Sequence, residues 1–348
     1  MITFHCRSEL EAGGVGGMEG DPGVMGGGVS IRGSIAKRLS REKKFRQLRN
    51  PPFRRISATM RKVAALFLLA GVAAVQAASL PENVVFVGKD KYYDLIRKGQ
   101  NEGWASLPIG ERTTRAGLAL VGTPYKNYTL ELDDRIETPC VNMNGMDCWT
   151  FFEISLASAR ALKVSANPSA ADMLRMIELD RYRGGRCNGI FTSRLHYLEQ
   201  WLADNQSRGL VKDVTPDLPG ARKLNREMRE MSADWKSSKQ LRANPRLVPE
   251  LARIEDQLSR RGIYYVPKAK VPAAEKYLKN GDVICIVTTW PYGYTSHVGL
   301  AYRDKSGVLR FMHASKNARE VIVDTRLSAY LNRFKSDAGI MVARPNDI

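Results

Sequence analysis

The sequence predicts an α+β protein, helices first and an antiparallel sheet after, and three observations carry that prediction. From Cys148 to Leu162 strong helix formers set Phe151, Phe152, Leu156, Ala159 and Leu162 at helical spacing. From Asp282 onward the texture changes to short β-rich runs separated by turns such as Lys305-Ser306-Gly307. The helical patterns are gathered before the strands rather than alternating with them, which separates α+β from parallel α/β architecture.

Taken in order, residues 1–59 come first, glycine-rich at Gly13–Gly28 and basic from Arg38 to Arg55, with little apolar surface to bury. We read this stretch as a non-native or disordered upstream extension. Met60-Arg61-Lys62, the apolar run Val63–Val75 and the small-residue exit Gln76-Ala77-Ala78 have the build of a secretory signal over 60–77. The run is short for a membrane span, and no cysteine follows it to take a lipid anchor. The expectation is an exported, soluble periplasmic protein without a stable membrane anchor. Residues 78–348 are read as one domain with a helical insertion at about 205–270.

Within that domain, 89–122 reads as two short helices divided by Ser106-Leu107-Pro108, followed by the turn signal Gly122-Thr123-Pro124-Tyr125. Asp147 is a good N-cap for the helix opening at Cys148, and Asn167-Pro168 lies beyond its end. Another helix falls within 170–205, whereas Arg186–Tyr197 has no clear period. Residues 220–262 are charged and mostly helical, their charges reading as a solvated face. Asp282–Thr289, His297–Arg303, Val308–Ala314 and Glu320–Asp324 form an antiparallel meander. A helix at 326–334 and a strand at Gly339–Arg344 close the chain.

The formal charge is +18, but residues 1–77 hold 13 Lys+Arg against 5 Asp+Glu, which leaves 41 against 31 for the rest. A moderately basic exported domain can be drawn to anionic surfaces such as cell wall or lipid headgroups. Nucleic acid fits poorly, since no nucleic-acid motif is present. Of Cys140, Cys148, Cys187 and Cys285, an oxidising compartment permits a Cys140–Cys187 disulfide. Cys285, inside an apolar run, reads as a buried hydrophobe. No CxxC or HExxH spacing supports a metal site, and no cofactor is implied.

The chemistry concentrates at Asp147-Cys148, then Ser296-His297-Val298-Gly299, then His313. A thiol in the first turn of a helix meets orphan N–H groups and the positive dipole end, which favour a thiolate. His297, opening an apolar strand, is the candidate general base. His313 is the candidate third member that holds its tautomer. The backbone N–H of Cys148, with Tyr125, is available to a developing oxyanion. Cys148 is expected to stay reduced and exposed.

Gly122-Thr-Pro-Tyr125, Asp147-Cys148, His297-Val-Gly and His313-Ala resemble, in order, the motifs of NlpC-type papain-like cell-wall hydrolases. The usual Ser-Gly-Phe after the cysteine is replaced by Trp149-Thr150-Phe151-Phe152-Glu153. That departure resembles the N-acetylmuramoyl-L-alanine amidase-like branch, first catalogued as a domain of unknown function. The likeness continues through Ser193-Arg194-Leu195-His196-Tyr197, Trp201, Ile254-Glu255, Gly281-Asp282 and His313-Ala314-Ser315, and covers nearly all of 85–345. The resemblance implies a papain-like cysteine hydrolase fold that cleaves the amide between N-acetylmuramic acid and L-alanine in peptidoglycan fragments, with a preference for 1,6-anhydro-muropeptides. A rigid bicyclic sugar suits a shaped pocket of aromatic faces and donors. Tyr125, Trp149, Arg194 and His196 are available for it, although Arg194 and His196 equally suit a structural network. Three other readings stand beside this one. One is a γ-D-glutamyl-diamino acid endopeptidase on the same scaffold, and another is a non-catalytic wall-binding protein. The third, a thiol redox protein, is disfavoured by the missing CxxC.

Overall fold

The computed structural model describes residues 80–348, so the readings of 1–59 and 60–77 lie outside the described residues. Helices α1 (Lys89–Asn101) and α2 (Ile109–Ala119) are divided where the sequence places the break. Pro108, with its fixed φ and no N–H to satisfy, stands at the start of α2.

Helix α3 (Cys148–Val164) is the centre of the molecule, and every residue from Cys148 to Leu162 is buried. A helix apolar on nearly all sides must be enclosed. Its two buried charges are therefore paired rather than solvated. Glu153 is bonded by Arg181, with Nη2 to Oε2 2.7 Å, and Arg160 by Asp180. Both partners come from the last turn of α4 (Ala170–Arg181), which thereby locks onto α3. The aperiodic stretch after α4 is loop with a 3-10 turn at Phe191–Ser193, leading into α5 (Leu198–Ser207).

The expected helical insertion needs correction. It contains α6 (Val248–Arg261), but also β1 (Val211–Asp213), β2 (Arg222–Leu224) and β3 (Ile263–Pro267). These strands are too short to show a period, and exposed Lys212, Arg222 and Lys223 give them the look of solvated helix.

The meander follows as β4 (Val283–Thr288), β5 (Thr295–Arg303), β6 (Leu309–Ser315) and β7 (Glu320–Arg326). After α7 (Leu327–Asn332), the last strand β8 (Asp337–Pro345) returns to the middle of the sheet. The eight-stranded sheet runs β2-β3-β8-β4-β5-β6-β7, with β1 also paired to β8. Its two faces divide the core by strict alternation. Val283, Cys285, Val287, Val298, Leu300 and Met312 join the core of α2 and α3. Ile284, Ile286, Ala301, Phe311 and Ile340 pack under α7 with Leu327 and Tyr330. Cys285 is fully buried in this sheet, and burial pushes its thiol well above the ordinary value.

Candidate active site

Cys148 is the first residue of α3, and the helix start that carries it is tightly specified. The Thr150 N–H donates to Asp147 Oδ1 at 2.8 Å, and the Asp147 N–H donates back to Thr150 Oγ1 at 3.0 Å, a reciprocal capping box. Burial raises the Asp147 carboxyl, and its bonds from Thr150 and the charges of Arg181 and Arg194 work against that. The thiol is free, as expected, but it is fully buried rather than exposed. The reason is its place in the α3-side core, the cluster that also holds Met146 and Phe152.

The segment leading into the helix is stitched to Tyr125. The Tyr125 N–H donates to Arg319 O at 2.7 Å, and Tyr125 bridges in parallel to Met146, two residues before the thiol. Gly122, at φ +85°, makes the turn that lets 122–125 run alongside the start of β7, donating to Val321 O at 2.9 Å. Tyr125 is half-buried there, next to the segment that ends in Cys148.

His297 and His313 come together. His297 Nε2 lies 2.7 Å from His313 Nδ1, and both rings are fully buried. They project from β5 and β6 on the α7 face of the sheet, where the rings contact Phe311 and Tyr330. Their neighbours Val298 and Met312 point the other way, to the core that holds Cys148. Gly299 makes room for the pair: a Cβ there would meet Met312 O at 2.5 Å and His313 Cβ at 2.8 Å. Burial, and then the neighbouring His313, hold the His297 imidazole well below the ordinary histidine value.

One residue of this cluster escaped the sequence reading. Asp324 Oδ2 lies 3.5 Å from His313 Nε2, and Arg333 Nη1 holds the carboxylate at 2.9 Å from Oδ1. Burial alone would raise this carboxyl. The hydrogen bonds from His313 and the Thr325 backbone, with the charges of His313 and Arg333, outweigh burial and bring it down to about 2.

The family model for N-acetylmuramoyl-L-alanine amidase-like proteins matches residues 115–340, the span that holds all of these groups. The chain belongs to this family. A Bacteroides uniformis N-acetylmuramoyl-L-alanine amidase structure is 31% identical with a TM-score of 0.63, covering 69% of this chain and 99% of that one. A Bacteroides fragilis structure described as a xylanase is 38% identical with a TM-score of 0.60, covering 66% of this chain and 98% of that one. A Legionella pneumophila protein at 20% identity and a TM-score of 0.57 covers 74% of this chain and 97% of that one, and shows the fold alone. No curated protein matches. Membership in the amidase-like family makes the chain a hydrolase of the cell-wall amidase kind, with a peptidoglycan-derived substrate.

The remaining candidates of this amidase-like chain are held by other partners. Trp149 is buried in the α3 core with its ring 5.8 Å from that of Phe152. Arg194 and His196 converge on Phe191. The Arg194 guanidinium lies 5.2 Å from the ring and its Nε 3.4 Å from Glu137 Oε2, while His196 Nε2 bonds Phe191 O at 2.8 Å. Burial, then repulsion from Arg194, push the His196 imidazole well below its ordinary value. Glu137 and Phe191 in turn line a cavity of about 310 Å³ with Asp134, Arg135, Gln240 and Asn244. Arg194 and His196 thus stand behind a cavity wall. Cys140 and Cys187 are both free rather than bridged. The Cys140 thiol donates to Thr129 O at 3.5 Å, and that of Cys187 to Glu137 O at 3.3 Å. Among the described residues, no His, Cys, Asp and Glu cluster is arranged to hold a metal ion, and no helix is long and apolar enough to cross a membrane.

Proposed function

We propose that this chain is an exported cysteine amidase of the NlpC-type, papain-like kind, hydrolysing the amide between N-acetylmuramic acid, in its 1,6-anhydro form, and L-alanine. The observation that carries the reading is the match to the amidase-like family over the span containing the His297–His313 pair and the capped Cys148 helix. In the proposed reaction the Cys148 thiol gives its proton to His297 Nδ1, since Nε2 is committed to His313. That step requires the two side chains to be brought together from the opposite faces of the sheet they occupy here. The Cys148 sulfur adds to the lactyl carbonyl carbon, and the oxyanion meets the first N–H groups of α3. The proton on His297 then passes to the departing L-alanine nitrogen, leaving a thioester. Water, deprotonated by His297, hydrolyses that thioester and restores the thiol. Tyr125, pinned beside Met146, is placed by this reading at the substrate carbonyl. Arg194 and His196 are assigned by this reading to substrate recognition through Glu137 and Phe191, which line the cavity of about 310 Å³, although none of Cys148, Tyr125, His297 and His313 lines it.

The test is a digest of paired reducing-end and 1,6-anhydro muropeptides by the purified chain and by Cys148→Ala, read by mass spectrometry. Release of an intact peptide beginning with L-alanine, from the anhydro form and by the wild type alone, is the expected result. Cleavage inside the peptide stem would instead assign the γ-D-glutamyl-diamino acid endopeptidase. Parallel xylan and glycan digests address the neighbour described as a xylanase. A glycosidase would release sugars independently of Cys148, through paired carboxyl groups.

A further inference from the structure

We propose that Asp324 is a positioning residue for the thiol chemistry, setting in series the tautomers of His313 and His297. The inference rests on His297 as the base. Between two neutral rings, His297 Nε2 and His313 Nδ1 at 2.7 Å share one hydrogen, and two arrangements satisfy them. If His297 Nε2 carries it, His297 Nδ1 is bare and can take a thiol proton. If His313 Nδ1 carries it, His297 must hold its own hydrogen on Nδ1 and cannot act as that base.

The choice is made at the far end of the pair. His313 Nε2 faces Asp324 Oδ2 at 3.5 Å, long for a hydrogen bond but within ion-pair reach. A carboxylate only accepts, so it favours the hydrogen on His313 Nε2 and leaves Nδ1 to accept from His297. Asp324 is itself fixed as a carboxylate. Arg333 Nη1 donates to Oδ2 at 3.0 Å and lies 2.9 Å from Oδ1, and the Thr325 N–H donates to Oδ1 at 2.5 Å. The strand pairing supplies the approach, since His313 pairs with Ile322 and the register shift that follows Val323 falls at Asp324, whose carboxylate reaches His313 Nε2. When His297 takes up the thiol proton, its positive charge is stabilised through His313 toward Asp324. The carboxylate takes no proton at any step.

Nitrogen NMR of the intact, histidine-labelled chain near neutral pH tests this without any substrate, and both rings are expected as Nε2–H tautomers. Asp324→Asn presents an amide N–H to His313 and favours the opposite arrangement. On the muropeptide that the wild type cleaves, its kcat is expected to fall roughly 10- to 100-fold with KM within about twofold. Asp324→Glu is expected to recover most of the loss. A wild-type His313 carrying its hydrogen on Nδ1, or an Asp324→Asn enzyme with unchanged kcat, overturns the proposal. If the variant fails to fold, the wild-type tautomers decide alone. If no muropeptide is cleaved, the functional reading falls and the tautomers still decide this one.

Discussion

His297 is the residue whose environment most constrains the chemistry. Its imidazole is buried and sits against a second imidazole, and both effects disfavour the charged form, so the ring stays neutral below the ordinary histidine value of 6.5. In its proposed role as base His297 must be unprotonated to act, so lowering its pKa extends activity toward acid. The acid limb of kcat/KM, measured on a cleaved muropeptide, is therefore expected below pH 6.5, and a limb at or above that value would show a ring titrating as if exposed. Stability has the same direction. The unfolded chain protonates this histidine first, so its contribution is present above 6.5 and declines as pH falls below it. The helix start at Cys148 and the strand positions of His297 and His313 were legible because each sits in a short local pattern, a cap before a helix or a histidine flanked by strand residues. Asp324 was not. In Val321-Ile322-Val323-Asp324 it reads as an ordinary polar position on a strand, and only the register between β6 and β7 sets it against His313.

At the scale of the element, α3 explains how the thiol is held in place. A helix start buried in a core leaves its first N–H groups no water, so side chains must satisfy them. Thr150 Oγ1 accepts from the Asp147 N–H at 3.0 Å, Asp147 Oδ1 accepts from the Thr150 N–H at 2.8 Å, and the Thr150 hydroxyl also donates to Asp147 Oδ1 at 2.8 Å. Thr150→Val keeps the shape and removes both hydroxyl bonds, leaving a buried N–H and a carboxylate short of one donor. The expected cost is about 1–3 kcal/mol by urea denaturation, with kcat falling further than bulk stability alone explains because the first turn carries Cys148. A variant as stable as the wild type would show that the box is dispensable. This helix was legible from its apolar spacing and from Asp147. Strands β1, β2 and β3 were not, since three to five residues carry too little pattern. Their position is fixed by pairing to β8 and to one another, a long-range fact. The absence of a Cys140–Cys187 bridge is of the same kind, because each thiol is taken up by a different carbonyl.

Across the whole molecule, the region read as a solvated charged face is tied to the core by apolar residues of α6 and by one buried carboxylate. Glu255, on the apolar side of α6 between Leu251 and Leu258, is buried with them. Its Oε1 accepts from the Tyr197 hydroxyl at 2.5 Å, the Met231 N–H at 2.7 Å and the Ser232 N–H at 3.1 Å. Tyr197 leads into α5, whose Trp201 packs edge-on against Phe152 of α3 at 5.1 Å. The carboxylate therefore joins α6 and the 231–232 turn to the layer that packs on α3. Helical spacing alone places Glu255 on the buried side of α6, yet charge alternation along 220–262 masks it, since composition counts a carboxylate as solvated wherever it points. Glu255→Ala would strand two buried donors, the Tyr197 hydroxyl and the Met231 N–H, and the half-buried Ser232 N–H, each buried one costing about 1–3 kcal/mol, so a loss of roughly 3 kcal/mol is expected. Glu255→Gln keeps an acceptor oxygen at the same place and should cost only about 1 kcal/mol. The comparison is made by urea denaturation, with Tyr197→Phe as the second arm of a double-mutant cycle. Strong coupling between Glu255 and Tyr197 is expected if the carboxylate joins the layers. Additive losses, with alanine and glutamine equally tolerated, would mean that the apolar contacts of α6 hold this region without it.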